Sequence, residues 1–248
     1  MFVMLLLSAL IVGLSLGLLG AGGSILTVPA LMLLLGMEEK VAIASSLIIV
    51  AAIAFTGLLN AARKKVLETN ILLWFALASI PAASIGAYMG VLLPEGMQTI
   101  LLVIVMLFAA YKMFFPNTQP NAYQQNKVKL LVSGAAAGLV TGLVGVGGGF
   151  LMVPALIIYA GLNMQKAVAN SLVLIAINAS FAFITLQLSN QSMQLDWLVI
   201  AVMAIVGSLS VLIGQKVASK LNQQLLKRAF ALILLFVGVG LLIHLFLL

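Results

Sequence analysis

The chain has no cysteine among its 248 residues. This absence excludes disulfides, thiolate chemistry and cysteine-based metal sites. Charged residues are also scarce: they make up 7% of the sequence, whereas 64% is hydrophobic and the mean hydropathy is +1.29. A soluble domain has roughly a quarter of its residues charged, so this chain cannot cover a globular surface with polar groups. Its outer solvent is therefore predicted to be lipid.

Acidic residues are few, and none lies inside an apolar run. The five are Glu38, Glu39, Glu68, Glu95 and Asp196. Proton-driven carriers commonly use buried Asp, Glu or His relays, and no such relay is visible in the sequence. The one histidine, His244, lies near the C-terminus and is interpreted as an interfacial residue. Since there is also no Walker-type GxxxxGK(S/T) sequence, neither an enzyme nor a cofactor or metal is predicted.

What the sequence has in abundance is apolar stretches. They cover residues 1–37, 41–62, 71–93, 99–115, 128–162, 167–188, 197–214 and 229–248. Most are close to the roughly 20 residues with which a helix crosses a membrane, but the first and fifth are far too long. The first has no Lys or Arg at its start, so it is predicted to be a mature membrane segment and not a cleaved signal peptide. An all-α polytopic membrane protein is the predicted fold class.

The sequence repeats itself at an offset of 125 positions, and no gap is needed between residues 13 and 47. The offset aligns Gly13, Gly17, Gly20, Gly22, Gly23, Pro29 and Gly36 with Gly138, Gly142, Gly145, Gly147, Gly148, Pro154 and Gly161. Apolar residues often match by chance, whereas Gly and Pro at a fixed offset indicate an internal repeat. The predicted division is a first membrane repeat over residues 1–115, a linker loop over 116–127 and a second membrane repeat over 128–248.

Each overlong stretch contains a glycine cluster, GAGG at 20–23 and GVGGG at 145–149. Each stretch either crosses once, which gives eight simple spans, or breaks at the glycines and returns as a hairpin. Eight spans divide the basic residues evenly: Arg63, Lys64, Lys65, Lys112, Lys127 and Lys129 lie inside, and Lys40, Lys166, Lys216, Lys220, Lys227 and Arg228 lie outside. Hairpins leave only Lys40 outside, as the positive-inside rule favours. Two inverted repeats are therefore predicted, each a broken-helix hairpin plus three spanning helices, with both termini outside.

The glycine breaks are the candidate substrate site. Backbone exposed at membrane depth is tolerated where it is buried in protein or lines a watery cavity. A short helix starting at each break is expected to aim free amides at the membrane interior, which suits an anion without any Lys or Arg. The two ends, arriving from opposite leaflets, are predicted to face one shared anion. Pro29 and Pro154 are interpreted as structural breaks, each in a first helical turn if the helix starts near it.

The predicted substrate-binding residues also include a second repeated element, AIASSL at 42–47 and AVANSL at 167–172. The full set is Gly20, Gly22, Gly23, Ser24, Ser45, Ser46, Gly145, Gly147, Gly148, Gly149, Asn170 and Ser171. A structural alternative stays open: the glycines as helix contacts, and the Ser and Asn side chains as interhelical hydrogen bonds. Packing better explains Gly13, Gly17, Gly138 and Gly142. Other intramembrane polar residues are interpreted as pathway lining or packing contacts, including Thr56, Asn60, Asn178, Ser180 and Ser208.

Two segments of the chain resemble the TauE/SafE family of sulfite exporter-like membrane proteins: GLLGAGGSILTVPALMLLLGM and GLVGVGGGFLMVPALIIYAGL, each followed by A-x-A-(S/N)-S-L. The resemblance covers essentially the whole chain. It implies passive or ion-coupled movement of small anions, typically sulfite or sulfonates, across the cytoplasmic membrane. Carried onto this chain, the family motif falls on both glycine clusters, both prolines and Ser45, Ser46, Asn170 and Ser171.

The predicted function is a secondary transporter of a small anion, with sulfite or an organosulfonate as the leading substrate and export as the favoured direction. Alternating access around a midplane site between the two breaks is the predicted mechanism. The alternatives are a channel-like anion pore and a non-transporting membrane scaffold. The anion and the lipid bilayer of the cell membrane are the predicted partners, while the coupling ion (proton or sodium) and the oligomeric state are left open. The net charge of +7 is explained by membrane orientation, so no nucleic-acid partner is predicted.

Overall fold

The computed structural model describes residues 2–20, 22–63, 66–94, 96–114, 127–145, 149–189, 194–218, 220 and 223–247. Across these residues the chain forms helices joined by short connections, and no strand occurs. Six of these helices are long and apolar enough to cross a membrane: α1 (Phe2–Leu19), α3 (Glu39–Arg63), α4 (Thr69–Leu92), α6 (Lys127–Val144), α8 (Met164–Leu188) and α9 (Trp197–Ala218). The prediction of an all-α polytopic membrane protein is confirmed.

Four further helices complete the described part of the chain. They are α2 (Gly22–Pro29), which a π-helical turn continues over Ala30–Leu34, α5 (Met97–Phe114), α7 (Gly149–Ala160) and α10 (Gln223–Leu247). Each half therefore contains the same order of five helices. Residues 116–126 of the predicted linker lie outside the described residues, and α6 begins at Lys127, the last residue assigned to that linker. The division into two repeats otherwise stays a prediction.

Both overlong apolar stretches break at their glycine clusters, as predicted. α1 ends before Gly20 and α6 ends before Gly145, and these glycines have φ angles of 67° and 71°. A second aligned pair, Gly36 and Gly161, has φ angles of 65° and 66° just beyond the ends of the short helices. This left-handed conformation strains any residue that carries a Cβ. Aligned glycines thus mark the turns of the chain, and the alternative of eight simple spans is wrong.

Neither proline lies in the first turn of its short helix, so the condition on which that placement depended is not met. Because α2 starts at Gly22, Pro29 is its last residue and does not lie in its first turn. Proline has no amide hydrogen to donate, and at this point the helix passes into the π-helical turn Ala30–Leu34. Pro154 lies inside α7, which continues through it. The short helices begin at the glycines, well before either proline.

The helices α1, α3 and α9 run side by side in one direction and form the first helix set. Residues that follow one another along α9 meet residues that follow one another along α1 and α3. Along α1, Gly13 lies against Gly207 of α9, and Gly17 lies against Gly214. Along α3, Ile53 lies against Gly207, Thr56 donates to Ser208 at 3.0 Å, and Asn60 donates to Gln215 at 2.5 Å. The order of these contacts shows that the three helices are parallel.

The helices α4, α6 and α8 form a second parallel set. Gly134 lies against Phe75 and Gly138 against Ser79, while Asn170 accepts from the Glu68 amide at 2.8 Å and Asn178 accepts from Ser79 at 3.2 Å. Since α8 begins beside Glu68, in the connection that follows α3, this set runs opposite to the first. Helices at equivalent places in the two halves therefore point in opposite directions. The inverted arrangement of the repeats stays a prediction, and these directions support it.

Close glycine contacts join the two halves. A Cβ added to Gly17 would lie 2.9 Å from the Cα of Gly214, and one added to Gly134 would lie 2.6 Å from the Phe75 carbonyl oxygen. Such small residues let helix backbones approach closely in a membrane. The packing role predicted for four glycines is confirmed, since an added Cβ would meet backbone atoms of the neighbouring helix at each: Gly13, Gly17, Gly138 and Gly142. The first helix of each half packs on the fourth helix of the other.

The two ends of the bundle differ in charge. At one end, which we call the cation-rich end, α3 and α9 finish and α6 and α8 begin. The described basic residues near these helix ends are Arg63, Lys127, Lys129, Lys166, Lys216 and Lys220. The opposite end holds Glu38, Glu39, Lys40 and Asp196, where α3 and α9 begin. The cations therefore collect at one end, as the hairpin prediction requires.

Candidate functional site

The first glycine break is the tip of a hairpin that lies near the cation-rich end. The Gly20 carbonyl accepts a hydrogen bond from the Ser171 hydroxyl at 3.1 Å, close to the start of α8. From this tip α2 runs to the opposite end, where the Met32 sulfur lies 3.9 Å from the Thr99 hydroxyl and Thr99 also contacts Glu39. The 8 residues of α2 and 5 of the π-helical turn cover about 20 Å. The return helix therefore crosses much of the bundle.

The second break repeats this arrangement at the opposite end. The Gly145 carbonyl accepts from the Ser46 hydroxyl at 2.5 Å, near the start of α3, and α7 runs back towards the cation-rich end. Each serine hydroxyl also lies 2.8 Å from the backbone carbonyl oxygen three residues before it in its own helix, so its hydrogen is shared between that oxygen and the glycine carbonyl. Ser46 and Ser171 occupy aligned positions of AIASSL and AVANSL. They make interhelical hydrogen bonds, the alternative left open for them, and each holds the hairpin of the other half.

The two tips do not face each other. Helix α3 gives the level of both tips. Ser46 of α3 binds Gly145, so residue 46 is level with the second tip. Gly57 of α3 packs against Leu172, the neighbour of the serine that binds Gly20, so residue 57 is level with the first tip. The eleven residues from 46 to 57 span about 16 Å along the helix. Because α2 and α7 leave their tips in opposite directions, the unpaired amides at their starts point to the nearer end of the bundle. The expectation that both ends turn towards one shared midplane anion is wrong in this conformation.

The glycine clusters also serve the packing of the hairpins. A Cβ added to Gly23 would clash with the Val12 carbonyl oxygen, so α2 packs directly on the backbone of α1. The other cluster residues of the predicted site lie as follows: Gly22 and Gly149 begin α2 and α7, Ser24 is buried, and Gly147 and Gly148 lie outside the described residues. Packing accounts for Gly23, while substrate binding by the clusters stays a prediction.

Asn170 ties the connection between α3 and α4 to the start of α8. Its Oδ1 accepts from the Glu68 amide at 2.8 Å, and its Nδ2 donates to the carbonyls of Lys166 at 2.7 Å and Val66 at 3.3 Å. The Lys166 ammonium forms an ion pair with the Glu68 carboxylate at 2.6 Å, with side chains 43% and 36% exposed. This network adjoins Ser171. It therefore braces the end of the bundle at which the first tip is held.

Ser45 is aligned with Asn170 but has no such network. Its side chain is fully buried, and its hydroxyl has no hydrogen-bond partner in the described structure. Leaving a buried polar group unpaired costs about 1–3 kcal/mol. Ser45 is therefore a predicted site residue with a donor available to a ligand.

Two buried polar side chains that the predicted site omitted lie between the tips. Asn178 follows Ser171 by seven residues, or about 10 Å further along α8. Its Oδ1 accepts from the Ser79 hydroxyl at 3.2 Å, and its Nδ2 has no partner although both residues are fully inaccessible. The sequence contains one signal for this pair: the repeat aligns Asn178 with the apolar Ile53.

Towards the cation-rich end, the contact between α3 and α9 is polar. Thr56 donates to Ser208, Asn60 donates to Gln215, and Gln215 Nε2 donates to the Gly57 carbonyl at 3.2 Å. The region of α8 and α4 instead contributes to a buried apolar cluster of Ala44, Leu47, Ala87, Ala179, Ala182 and Leu186. The two contacts, each of which joins one helix from either half, thus share a backbone plan and differ in polarity at these levels.

Ionisable side chains in the described chain lie near helix ends. Glu39 holds the start of α5 by accepting from the amides of Gly96 at 2.8 Å and Thr99 at 2.6 Å, and Lys40 donates to the Val91 carbonyl at 3.4 Å. No group of three or more His, Cys, Asp or Glu side chains that could hold a metal ion occurs within the described residues. The groups described between the levels of the tips are therefore neutral side chains and backbone groups.

Comparison with known proteins places the chain in a family. The family described as sulfite exporter TauE/SafE matches residues 5–241. The chain belongs to the TauE/SafE family. The resemblance drawn from the glycine and serine motifs is thereby confirmed.

Relatives of this TauE/SafE protein are named as transporters. It is 31% identical over 240 residues to a probable membrane transporter protein of Xylella fastidiosa (strain 9a5c), covering 92% of this chain and 90% of the relative. It is 25% identical over 265 residues to the probable membrane transporter protein YjnA of Bacillus subtilis (strain 168), covering 97% and 100%. No solved structure matches the chain. Family and relatives support a multi-pass membrane transporter, and the family is not one of enzymes.

Proposed function

We propose that this TauE/SafE protein is a secondary transporter that moves a small anion by alternating access. The observation that carries the proposal is the pair of hairpins, each held at its glycine tip by a serine of the other half. The tips lie towards opposite ends of the bundle. Release of one tip while the other stays held opens the centre to one side at a time, as in transporters built from inverted repeats.

The uncharged centre supports an anion bound by neutral donors. Asn178 and Ser45 both have unpaired donor groups, and both donors are uncharged. Backbone amides at the starts of α2 and α7 add partial positive charge near each tip. An anion held by such groups exchanges more readily than one held in a buried ion pair, since no opposite charge must be left behind unpaired. This suits a carrier, which must release its substrate.

The proposed substrate-contacting groups at each tip are the predicted ones, used in turn. At the cation-rich end they are Gly20, Gly22, Gly23, Ser24, Asn170 and Ser171, and at the opposite end they are Gly145, Gly149, Ser45 and Ser46. Gly147 and Gly148, which lie outside the described residues, complete the proposed set. Because the tips are about 16 Å apart, a small anion meets one group at a time. Each serine is proposed to exchange its glycine carbonyl for the anion when the tip is released.

The leading substrate is sulfite or an organosulfonate, with export favoured. The description of the matching family as a sulfite exporter supports this choice. The cation-rich end is proposed to face the cytoplasm, which places both termini outside. The membrane is proposed to be the cell membrane.

A liposome flux assay tests the proposal. Purified protein is reconstituted and tested with sulfite, sulfate, thiosulfate, taurine and acetate, with and without a pH gradient. We expect saturable sulfite or sulfonate flux and counterflow, in which an unlabelled anion inside drives uptake of a labelled one. Flux without counterflow would favour a pore, and absence of flux for every anion would contradict transport of these substrates.

Variants then test the glycine tips. Gly22→Leu and Gly147→Leu should each abolish flux while leaving membrane insertion intact, because a bulky side chain would block the backbone groups of the tip. Ser180→Leu is the matched control, since this exposed residue of α8 donates only to the Ala176 carbonyl and should keep its flux. Wild-type flux in both glycine variants would remove the tips from the site.

A further inference from the structure

Asn178 lies between the levels of the two tips along the bundle. It follows Ser171, which holds the first tip, by seven residues. The residue aligned with it in the other repeat is Ile53, which follows Ser46, the serine that holds the second tip, by seven residues. Asn178 is therefore about 10 Å along α8 from the level of the first tip. The polar pair that it forms with Ser79 is fully buried.

The fold does not need a polar pair at this place. The residue equivalent to Ser79 is Gly207, as the aligned glycines Gly138 and Gly13 show. A Cβ added to Gly138 of α6 would meet Ser79, and one added to Gly13 of α1 would meet Gly207. At the equivalent contact between α3 and α9, Gly207 packs against the side chain of Ile53. One of these two equivalent helix contacts is thus made by apolar residues and the other by Ser79 and Asn178.

The pair is also incomplete as a structural hydrogen bond. The Ser79 hydroxyl donates to Asn178 Oδ1 at 3.2 Å, which fixes the amide plane and leaves both Nδ2 hydrogens without an acceptor. A buried amide that served only to join α4 and α8 would have no reason to leave its donor unpaired. The vacant bond calls for an acceptor that comes and goes.

We propose that Asn178 Nδ2 is the central binding group for an oxygen of the transported oxyanion. Ser79 is a positioning residue, which holds the amide with its donor side free. The inference rests on the proposed transport function and adds a substrate group to it, midway between the two tip sites. The ligand class is a small oxyanion with an accessible oxygen, such as sulfite or a sulfonate head group.

The test compares stability and flux in the same variants. Asn178→Leu removes the unpaired donor and copies the apolar character of the equivalent contact between α3 and α9, so it should melt at or above the wild-type temperature and yet lose at least tenfold in sulfite flux. Asn178→Asp keeps the size but presents oxygen to the anion, and should lose at least as much. Ser180→Ala, two residues along α8, is the control. This side chain is exposed and donates to the Ala176 carbonyl of its own helix, so it does not line the centre and the variant should match wild type in both measurements.

A ligand-induced thermal shift gives a readout that does not depend on flux. Sulfite at saturating concentration should raise the melting temperature of wild type and Ser180→Ala, and should leave Asn178→Leu unchanged. If Asn178→Leu melts lower and keeps the wild-type half-saturation and thermal shift, the pair is structural and the inference is overturned. If the wild-type protein neither transports nor binds any of the anions, the proposed transport function itself is contradicted. This outcome differs from the previous one, in which transport is seen and only the role of Asn178 is overturned.

Discussion

Removing one serine hydroxyl should loosen only the hairpin that it holds. In Ser171→Ala the Gly20 carbonyl loses its donor at 3.1 Å, and in Ser46→Ala the Gly145 carbonyl loses its donor at 2.5 Å. A hydrogen bond contributes about 0.5–1.5 kcal/mol net in proteins, and about 0.6 kcal/mol on average between membrane helices. A loss of about 1 kcal/mol raises the population of the released tip about fivefold.

The absence of cysteine from the sequence provides an assay without background. Val168 packs against Gly20 and Ile43 packs against Gly145, so Val168→Cys and Ile43→Cys report on the two tips from equivalent positions. Opened membrane vesicles give a hydrophilic maleimide access from both sides. Ser171→Ala should speed modification of Val168→Cys about fivefold, and should leave modification of Ile43→Cys unchanged or slower. Ser46→Ala should give the reverse pattern.

Two results would refute this reasoning. Unchanged rates at both reporters would show that the hydroxyls do not hold the tips. A rise at both reporters in a single serine variant would show that the tips open together, which is the behaviour of a pore and not of alternating access.

Three further predictions concern stability, each read as the half-life of the detergent-solubilised protein on heating. Gly214→Ala should destabilise the protein by about 1–3 kcal/mol, because the new Cβ would lie 2.6 Å from a carbonyl oxygen of α1. Its control, Gly238→Ala, should be neutral or stabilising, because the nearest atom to the new Cβ would be 3.8 Å away. Equal half-lives of the two variants would contradict the close packing at Gly214. Glu39→Gln should cost about 1 kcal/mol, because it removes the negative charge at the start of α5, and a gain in stability would contradict that role. Glu68→Gln should change stability by less than about 1 kcal/mol, since its ion pair with Lys166 is partly exposed, and a larger loss would mean that the pair is better shielded.

The repeat and its turns could be predicted from the sequence because they depend on backbone chemistry. Only glycine adopts a positive φ without strain, so Gly20 and Gly145 recur wherever the turn recurs. The side to which each hairpin returns could also be predicted, since basic residues mark one face. Both signals are local or additive, and neither requires knowledge of how helices pack.

The depth of the tips could not be predicted in the same way. Charge counting shows where a hairpin ends but not how far it penetrates, and the tips prove to lie towards opposite ends because α1 and α6 continue past the centre. The place of Pro29 within its helix could not be predicted either, since the start of that helix is set by the glycines before it. Asn178 was visible only as one of several intramembrane polar residues; its unpaired donor emerges from burial and from the bond with Ser79, which is 99 positions away in the sequence.

The reciprocal packing of the two halves has a consequence for biogenesis. Gly13 finds its partner at Gly207, near the end of the chain, and ribosomes add roughly 5–20 residues per second. The first helix therefore enters the bilayer on the order of 10–40 seconds before α9 is synthesised. Until then its glycine face meets lipid or the insertion machinery, and a chain truncated before α9 cannot reach its native neighbours. The synthesis of α9 thus determines when α1 can pack against its native neighbour.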